Sequence, residues 1–533
     1  MLLPWTWLLV TGCVADPPRV DLCRELKTLP PSPAAAPSSG LIYEAYVRSF
    51  QDSDGDGIGD LQGMISRLPY LQRLGVEHLW LMPVFPSPGP AGYDAVALDE
   101  VSSDYGSEED LVELIQAAGE VGITIMLDVP INHSSVDHPW FQLALAHRDS
   151  AEGGAYVFSH EQWDELRWFP TYEEDRWYYA YFGEEFPDFD WSSPFIIEEI
   201  PRALRHWTDL GVGGFRLDAV RQIVEDDGDI SDTRLGHCTL AWLYAELASE
   251  GAMVFSEAWS LELETVTPYL GTVKRPQTDL VLGMPRHHAI VEALTQRSAR
   301  VLIEHLAAEA RAGVLDRMAT HAGSHDLTRL LGRIPEPEVR RSWMVLLFTL
   351  PGSPVLYYGD EIDLSDTHQQ PQDLPWRAPM AWDGEAWGGF STGHPWMEPS
   401  HGYIDGVHAQ AQEADPSSML SLILGLVDLR AMTSALRGGE LVLHGHTEHA
   451  VMAFERRPLD GDDARVLVVL NTGAEERHAL RFEGTGAEAW FDLTAEGAER
   501  FPGTEGLTVP GRGYMILSDR DLSPLTVAGP LGD

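Results

Sequence analysis

Short apolar runs recur along the chain, separated by longer stretches whose apolar positions repeat at helical spacing. The runs are Ile42 to Val47, His78 to Met82, Ile123 to Val129, Phe215 to Ala219, Met253 to Ser256, Asp279 to Leu282, Met318 to His321 and Val355 to Tyr358. Glu108 to Val121 and Ala289 to Ala312 are examples of the helical stretches between them. Eight strand candidates alternating with helices predict an α/β fold, a closed parallel (β/α)8 barrel, over residues 41–132 and 191–432. The interval between the third and fourth strands is too long for one helix. Residues 133–190 are aromatic, acidic and irregular there, and read as a small inserted domain. After a last helix, Leu420 to Met432, the period changes to short alternating strands with Gly-rich turns. Glu440 to Leu443, Ala450 to Glu455, Ala464 to Leu470 and Gly513 to Leu517 predict a C-terminal all-β sandwich over 433–533.

The front of the chain has a different pattern. Leu2 to Val10 is apolar but too short to span a bilayer, which takes about 20 residues as a helix. It suits the core of an export signal, and Val10-Thr11-Gly12-Cys13 resembles a bacterial lipobox, although no Lys or Arg precedes the run. Residues 1–13 are therefore expected to direct export, with Cys13 as a lipid anchor and the only contact with a membrane. The protein would be a periplasmic, outer-membrane or cell-surface lipoprotein, or secreted if Cys13 is not lipidated. Residues 14–40, rich in Pro, Ala and Ser, read as a tether without a core. The three cysteines, Cys13, Cys23 and Cys238, are odd in number and widely spread, which predicts neither a disulfide framework nor a zinc site.

Charge narrows the partners. With 83 acidic against 36 basic residues the net charge is −47, so nucleic acid and anionic membrane surfaces are repelled. A neutral substrate is the natural expectation, and the 17 tryptophans include candidates for stacking on sugar rings. A monomer is expected.

The stretch Gly213-Gly214-Phe215-Arg216-Leu217-Asp218-Ala219-Val220 reads as a strand buried on both faces. Alternation puts Phe215 and Leu217 on one side and Arg216 and Asp218 on the other. A guanidinium beside a carboxylate favours its anion, as a carboxylate nucleophile requires; a structural ion pair would look the same. In a (β/α)8 barrel the chemistry lies at the C-terminal ends of the strands. Those ends carry Asp128, Asp218, Glu257 and Asp326. Paired carboxyls serve glycoside hydrolysis, one protonating the leaving oxygen and the other attacking the anomeric carbon or activating water. The residues alone leave the acid/base open between Glu257 and Asp326.

Four motifs occur in order: Asp128-Val129-Pro130-Ile131-Asn132-His133, the Gly214 to Val220 strand, Phe255-Ser256-Glu257-Ala258-Trp259, and Ser324-His325-Asp326. They resemble the four signature regions of the α-amylase family, glycoside hydrolase family 13. Gly92-Tyr93-Asp94, Phe186-Pro187-Asp188-Phe189-Asp190-Trp191 and the Pro351 to Glu361 stretch resemble further family motifs. The pattern is intermediate between the oligo-1,6-glucosidase and neopullulanase branches, as in some exported bacterial α-amylases. The resemblance implies Asp218 as nucleophile, Glu257 as general acid/base and Asp326 as the third carboxylate. It implies that Arg216 orients the nucleophile, and that Tyr93, Asp94, His133 and His325 line the subsite of the sugar being cleaved. Arg329 is expected to pair with Asp94. Ala219, where relatives favouring α-1,6 bonds often carry Val, implies a preference for α-1,4 bonds.

Asp52 to Asp60 places oxygen ligands at alternate positions among glycines, which suits a hard cation. Position twelve of the loop is Gly63, so it is not an EF-hand. The resemblance implies one structural Ca2+ held by Asp52, Asp54, Asp56, Asp60 and the Ile58 carbonyl, and a second site of the α-amylase type at Asn132. The leading expectation is a retaining hydrolase of α-1,4-glucans acting on starch, maltodextrins or related oligosaccharides. The alternatives are an α-glucosidase or a transglycosylase or isomerase of the trehalose synthase type, and, from another class, a non-catalytic glycan-binding protein.

Overall fold

The computed structural model describes residues 19–30, 39–226, 228–367, 374–444, 449–461, 463–480, 489–494, 500–501, 504 and 506–530. The apolar leader, Cys13 and the run from Pro31 to Pro37 lie outside the described residues. Eight parallel strands close a barrel: β1 (Leu41–Ala45), β2 (Val76–Leu81), β3 (Thr124–Val129), β4 (Gly214–Leu217), β5 (Met253–Ser256), β6 (Leu280–Leu282), β7 (Met318–His321) and β8 (Ser353–Tyr357). Each strand pairs with its neighbour in sequence, and β1 closes on β8. All eight expected strands are present, with ends displaced by two residues at most.

Two apolar layers explain the pattern. Ile42, Trp80, Met126, Phe255, Leu280, Ala319 and Val355 fill the barrel interior. Their alternation partners, among them Tyr43, Leu127, Phe215, Leu217 and Val254, pack outward against the helices. Register fixes the chemistry: Asp128 on β3 lies beside Arg216 on β4, and Arg216 beside Phe255 on β5. The two glycines entering β4 let its neighbours close in. A Cβ on Gly214 would come within 2.8 Å of the Met253 carbonyl oxygen, and one on Gly213 within 2.3 Å of Thr124 Cγ2.

The inserted domain follows β3. It is built on a helix, Pro139–Ala146, and a three-stranded antiparallel sheet of Phe158–Ser159, Trp177–Tyr179 and Trp168–Pro170. The C-terminal unit is all antiparallel: a six-stranded sheet and a two-stranded one enclose Val469, Leu480, Trp490, Leu507 and Leu517. The helical run expected from Ala289 to Ala312 is two helices, Met284–Thr295 and Arg300–Ala312. The break is at Arg297, whose φ of 57° lies outside helical space.

Two expectations about the front of the chain need correction. Residues 19–30 are not a free tether but a strap docked on the barrel. Arg19 pairs with Asp190 at 3.6 Å, Val20 N–H donates to the Ser192 carbonyl, and Leu22 and Cys23 are buried. Arg275 holds the Leu29 and Pro30 carbonyls, both at 2.8 Å. Cys23 forms a disulfide with Cys238, which stands on the helix Arg234–Ser249 behind β4. The odd cysteine count came from Cys13, and a separation of 215 residues hides the pairing until the barrel brings the two ends together.

Closing so long a loop restricts the unfolded chain by up to about 5 kcal/mol in the chain-entropy view. Reductant, or Cys238→Ser, should therefore lower the urea midpoint markedly. A midpoint indifferent to reductant would show that the bridge does not form.

Candidate active site

Arg216 is the centre of the site. Its side chain is 1% exposed, and its guanidinium reaches three carboxylates at once. Nη1 donates to Asp128 Oδ1 at 2.8 Å and Asp218 Oδ1 at 2.5 Å, and Nη2 donates to Glu257 Oε2 at 2.8 Å. Its face lies over the Trp80 ring, 5.4 Å from the centroid. Three strand ends, β3, β4 and β5, thus bring their acids to one cation. Asp128 is fully buried, held by Trp80 Nε1 at 3.0 Å and Tyr93 Oη at 2.9 Å, whereas Asp218 and Glu257 reach the mouth.

The surroundings separate the carboxyls electrostatically. Burial pushes Glu257 up to about 8, against the pull of Arg216. Burial likewise raises Asp128, to about 6. Asp326 goes the other way: burial opposes its ionisation, but the His325 ring holds it well below the usual carboxylate range. Asp326 lies past β7, its side chain 42% exposed into the cleft, 3.1 Å from His325 Nε2.

Tyr93 and His325 stack at 5.4 Å between ring centroids, and Tyr93 Oη lies 2.8 Å from His325 Nε2. His133 is buried at the edge of the inserted domain, its ring against Phe182 and Phe186, and burial lowers its pKa. Asp94 accepts from Ser87 Oγ and from Gly89 N–H at 2.8 Å. Ala219, next after Asp218, is in the left-handed region (φ 49°, ψ 37°), and its N–H points at Glu257 Oε2 at 3.3 Å.

Arg329 is not where it was expected. It is buried beneath the cleft over the rings of Tyr357 and Tyr358, donates to the Tyr358 carbonyl, and lies 3.5 Å from Asp360. The cation that approaches the third carboxylate is Arg377, 3.8 Å from Asp326 Oδ1 and bonded through Nε to the His325 carbonyl at 3.1 Å. Sequence reading missed Arg377 because it sits in irregular chain, where no period marks a functional face. Its only signal was the neighbouring Trp376 and Pro379, beside a single 3-10 turn, Pro375–Arg377.

The Asp52 to Asp60 loop follows β1 and packs against Ser391. Asp52, Asp54 and Asp60 each bring a carboxylate oxygen within 4.8 Å of one another. An all-oxygen set of this kind suits a hard cation. Asp56 is outside the trio and accepts from Ile58 N–H at 2.7 Å. The loop is pinned by Asp52, which accepts from Gly55 and Gly57 N–H and from Ser391 Oγ. Gly57, at φ 95°, admits no side chain, since a Cβ would come within 2.1 Å of the His394 carbonyl. Asn132 and Asp188 are buried together where Phe189 N–H meets the Asn132 carbonyl, and burial and the neighbouring Glu225 carboxyl raise Asp188 well above its ordinary range.

A family description, alpha amylase catalytic domain, matches residues 44–439. The chain belongs to the α-amylase family. Among relatives, a 4-alpha-glucanotransferase from Thermotoga maritima is 31% identical over 415 residues, covering 73% of this chain and 86% of that protein. A glucan 1,6-alpha-glucosidase from Streptococcus pneumoniae is 27% identical over 517 residues, covering 86% and 95%. Among solved structures, the trehalulose synthase MutB from Pseudomonas mesoacidophila superposes with a TM-score of 0.80 at 23% identity, covering 91% of this chain and 100% of that one. That likeness concerns the fold. As an α-amylase family member, the protein is an enzyme acting on O-glycosyl bonds.

The two arginines make opposite forecasts. Arg377→Ala should lower kcat/KM about 10- to 100-fold, the worth of a charge-assisted contact, with a smaller loss of Tm than Arg329→Ala. Arg329→Ala should instead destabilise the fold by about 3–5 kcal/mol, because it leaves buried Asp360 without its cation. A reversed pattern in the two variants would return Arg329 to the substrate subsite.

Proposed function

We propose a retaining hydrolase of α-1,4-glucans, and the observation that carries this is the divided behaviour of the carboxyls around Arg216. Asp218, held by the guanidinium, attacks the anomeric carbon and forms the glycosyl-enzyme. Glu257, with its pKa near 8, carries the proton at neutral pH and gives it to the leaving oxygen. Once the aglycone departs, the Glu257 carboxylate takes a proton from water, which displaces Asp218 with net retention. Asp326 remains an anion beside the oxocarbenium-like transition state, with His325, Tyr93, His133 and Asp94 around the same ring. The choice between Glu257 and Asp326, open from the residues alone, rests on these opposite shifts. A retaining pair stands about 5 to 5.5 Å apart, which suits two carboxylates sharing one guanidinium.

Asp218→Asn should abolish turnover in a folded protein. Glu257→Gln should lose most activity on glucans but retain more on substrates whose leaving group needs no protonation. Equal losses on both would remove Glu257 from the acid role. Since Glu257 must be protonated, kcat/KM in the wild type should fall as pH rises through about 8.

The linkage reading rests on Ala219, whose small side chain borders the acceptor space. One or two methyl groups there are worth about 10- to 200-fold in discrimination. Maltotriose and longer maltodextrins should be cleaved faster than isomaltose or panose, and Ala219→Val should shift the balance towards α-1,6 bonds. That variant also places a β-branched residue at positive φ, so a lowered Tm is expected with it. A wild-type preference for isomaltose would overturn the linkage and leave the mechanism standing. The likeness to the 4-alpha-glucanotransferase favours a second reading, transfer in place of hydrolysis. Products longer than the substrate from maltoheptaose would establish it.

We further propose one structural calcium ion at the Asp52 loop, with Asp52, Asp54 and Asp60 as carboxylate ligands and Asp56 and the Ile58 carbonyl as the remaining candidates. Neutralising three gathered carboxylates is what the ion would supply, and binding only the folded state would stabilise it by mass action. Chelator should then lower Tm, and calcium restore it; an unchanged Tm together with no metal in elemental analysis would leave an acidic turn. Export is supported by the Cys23–Cys238 bridge, which belongs to an oxidising compartment. Cys13→Ser should release the protein from the membrane fraction if Cys13 is the anchor.

A further inference from the structure

Glu44 is a buried carboxylate that neither the motifs nor the mechanism uses. It lies on β1 two residues after Ile42, so alternation turns it into the barrel interior, where it is fully buried. Its Oε1 is 2.5 Å from His325 Nδ1 and 3.1 Å from the His325 N–H. The other ring nitrogen, Nε2, faces Asp326 Oδ2 at 3.1 Å and Tyr93 Oη at 2.8 Å. Asp326 Oδ2 is a carboxylate oxygen and can only accept from that nitrogen, and Tyr93, which donates to Asp128, leaves its oxygen to accept there as well. An acceptor at each ring nitrogen leaves no place for a lone pair. A neutral imidazole would turn one unprotonated nitrogen towards an acceptor.

We propose that Glu44 is a positioning residue that holds His325 as an imidazolium, donating from both nitrogens. Burial works against the charge, but Asp326 and Glu44 together push the His325 pKa up to about 10. The remaining charged and titratable groups around the pair divide in sign. Asp128 and Glu257 face the ring side, Asp360 and Tyr357 the Glu44 side, and Glu361 is turned away to Tyr43 and Tyr70. Arg377 sits on the His325 carbonyl, with Arg216 behind Tyr93 and Arg329 beneath β8.

The arrangement has a purpose that Asp326 could not serve alone. When a sugar enters, Asp326 is the group free to turn towards its hydroxyls, and in doing so it would loosen its hold on His325. Glu44 lies out of reach in the interior and keeps the proton on the ring regardless. The donor at Nε2 is thereby preserved while Asp326 engages substrate. This role rests on the cleft being the hydrolytic site, although the charge state of His325 does not.

The decisive measurement is a pH titration of the His325 ring by NMR in 15N-histidine-labelled protein, its signal assigned by loss in His325→Gln. In the wild type the ring should remain an imidazolium through pH 8. In Glu44→Gln its midpoint should fall by about 1–3 pH units, the effect of removing one adjacent charge, and Glu44→Asp should recover part of the shift. Activity of Glu44→Gln should be lost more steeply above pH 7 than below pH 6, with kcat affected more than KM. A neutral ring at pH 7 in the wild type, as when the shared proton sits on Glu44, overturns the proposal even if no variant folds. So does an unchanged midpoint in Glu44→Gln. A wild type with the imidazolium in place but no action on glucans would refute the hydrolase reading instead.

Discussion

One buried guanidinium holds the centre of this molecule together. Arg216 is enclosed by the barrel, and a lone cation there would cost several kcal/mol in lost hydration. It is tolerated because β3, β4 and β5 each deliver a carboxylate to it, and that delivery depends on register. A slip of one residue in β4 would turn Arg216 to the helix layer and Phe215 into the acids. The glycines before Arg216, which let β3 and β5 approach, and the Trp80 ring beneath it therefore belong to the same constraint. Burial and ion pairing then sort four nearby acids, so that one holds its proton at neutral pH while another stays ionised.

The barrel was legible because its strands are short, mostly apolar runs alternating with helices, and four of them lead into a carboxylate. The carboxylates Asp128, Asp218, Glu257 and Asp326 could be read from strand ends for that reason. Features made by distant chain segments were not legible. Arg329, three residues past Asp326, was expected to pair with Asp94, but the chain turns it beneath Tyr357 and Tyr358. Arg377 does approach Asp326, from a segment with no periodicity to advertise it. Glu44 was hidden in a different way: inside an apolar strand a single acid looks like an interruption of the pattern, and only closure of β1 against β8 and β2 brings it under His325.

The front of the chain illustrates the same limit. A segment rich in proline and alanine has too little apolar surface to form a core of its own, and composition reads it as a tether. Composition cannot see that Leu22 and Cys23 borrow a core from the barrel wall.

That borrowed contact determines how the molecule carries load. A pull on the residues before Cys23 passes through the sulfur bridge into the helix Arg234–Ser249 and from there onward. The covalent loop between the two cysteines, with the first four barrel strands, the inserted domain and Asp218 inside it, is bypassed by the covalent path and takes only the load that the Arg19–Asp190 and Val20–Ser192 contacts pass to it. Were the protein held by its front end against flow, the mechanical strain would run along the rim, and the strand that presents Asp218 would stay slack.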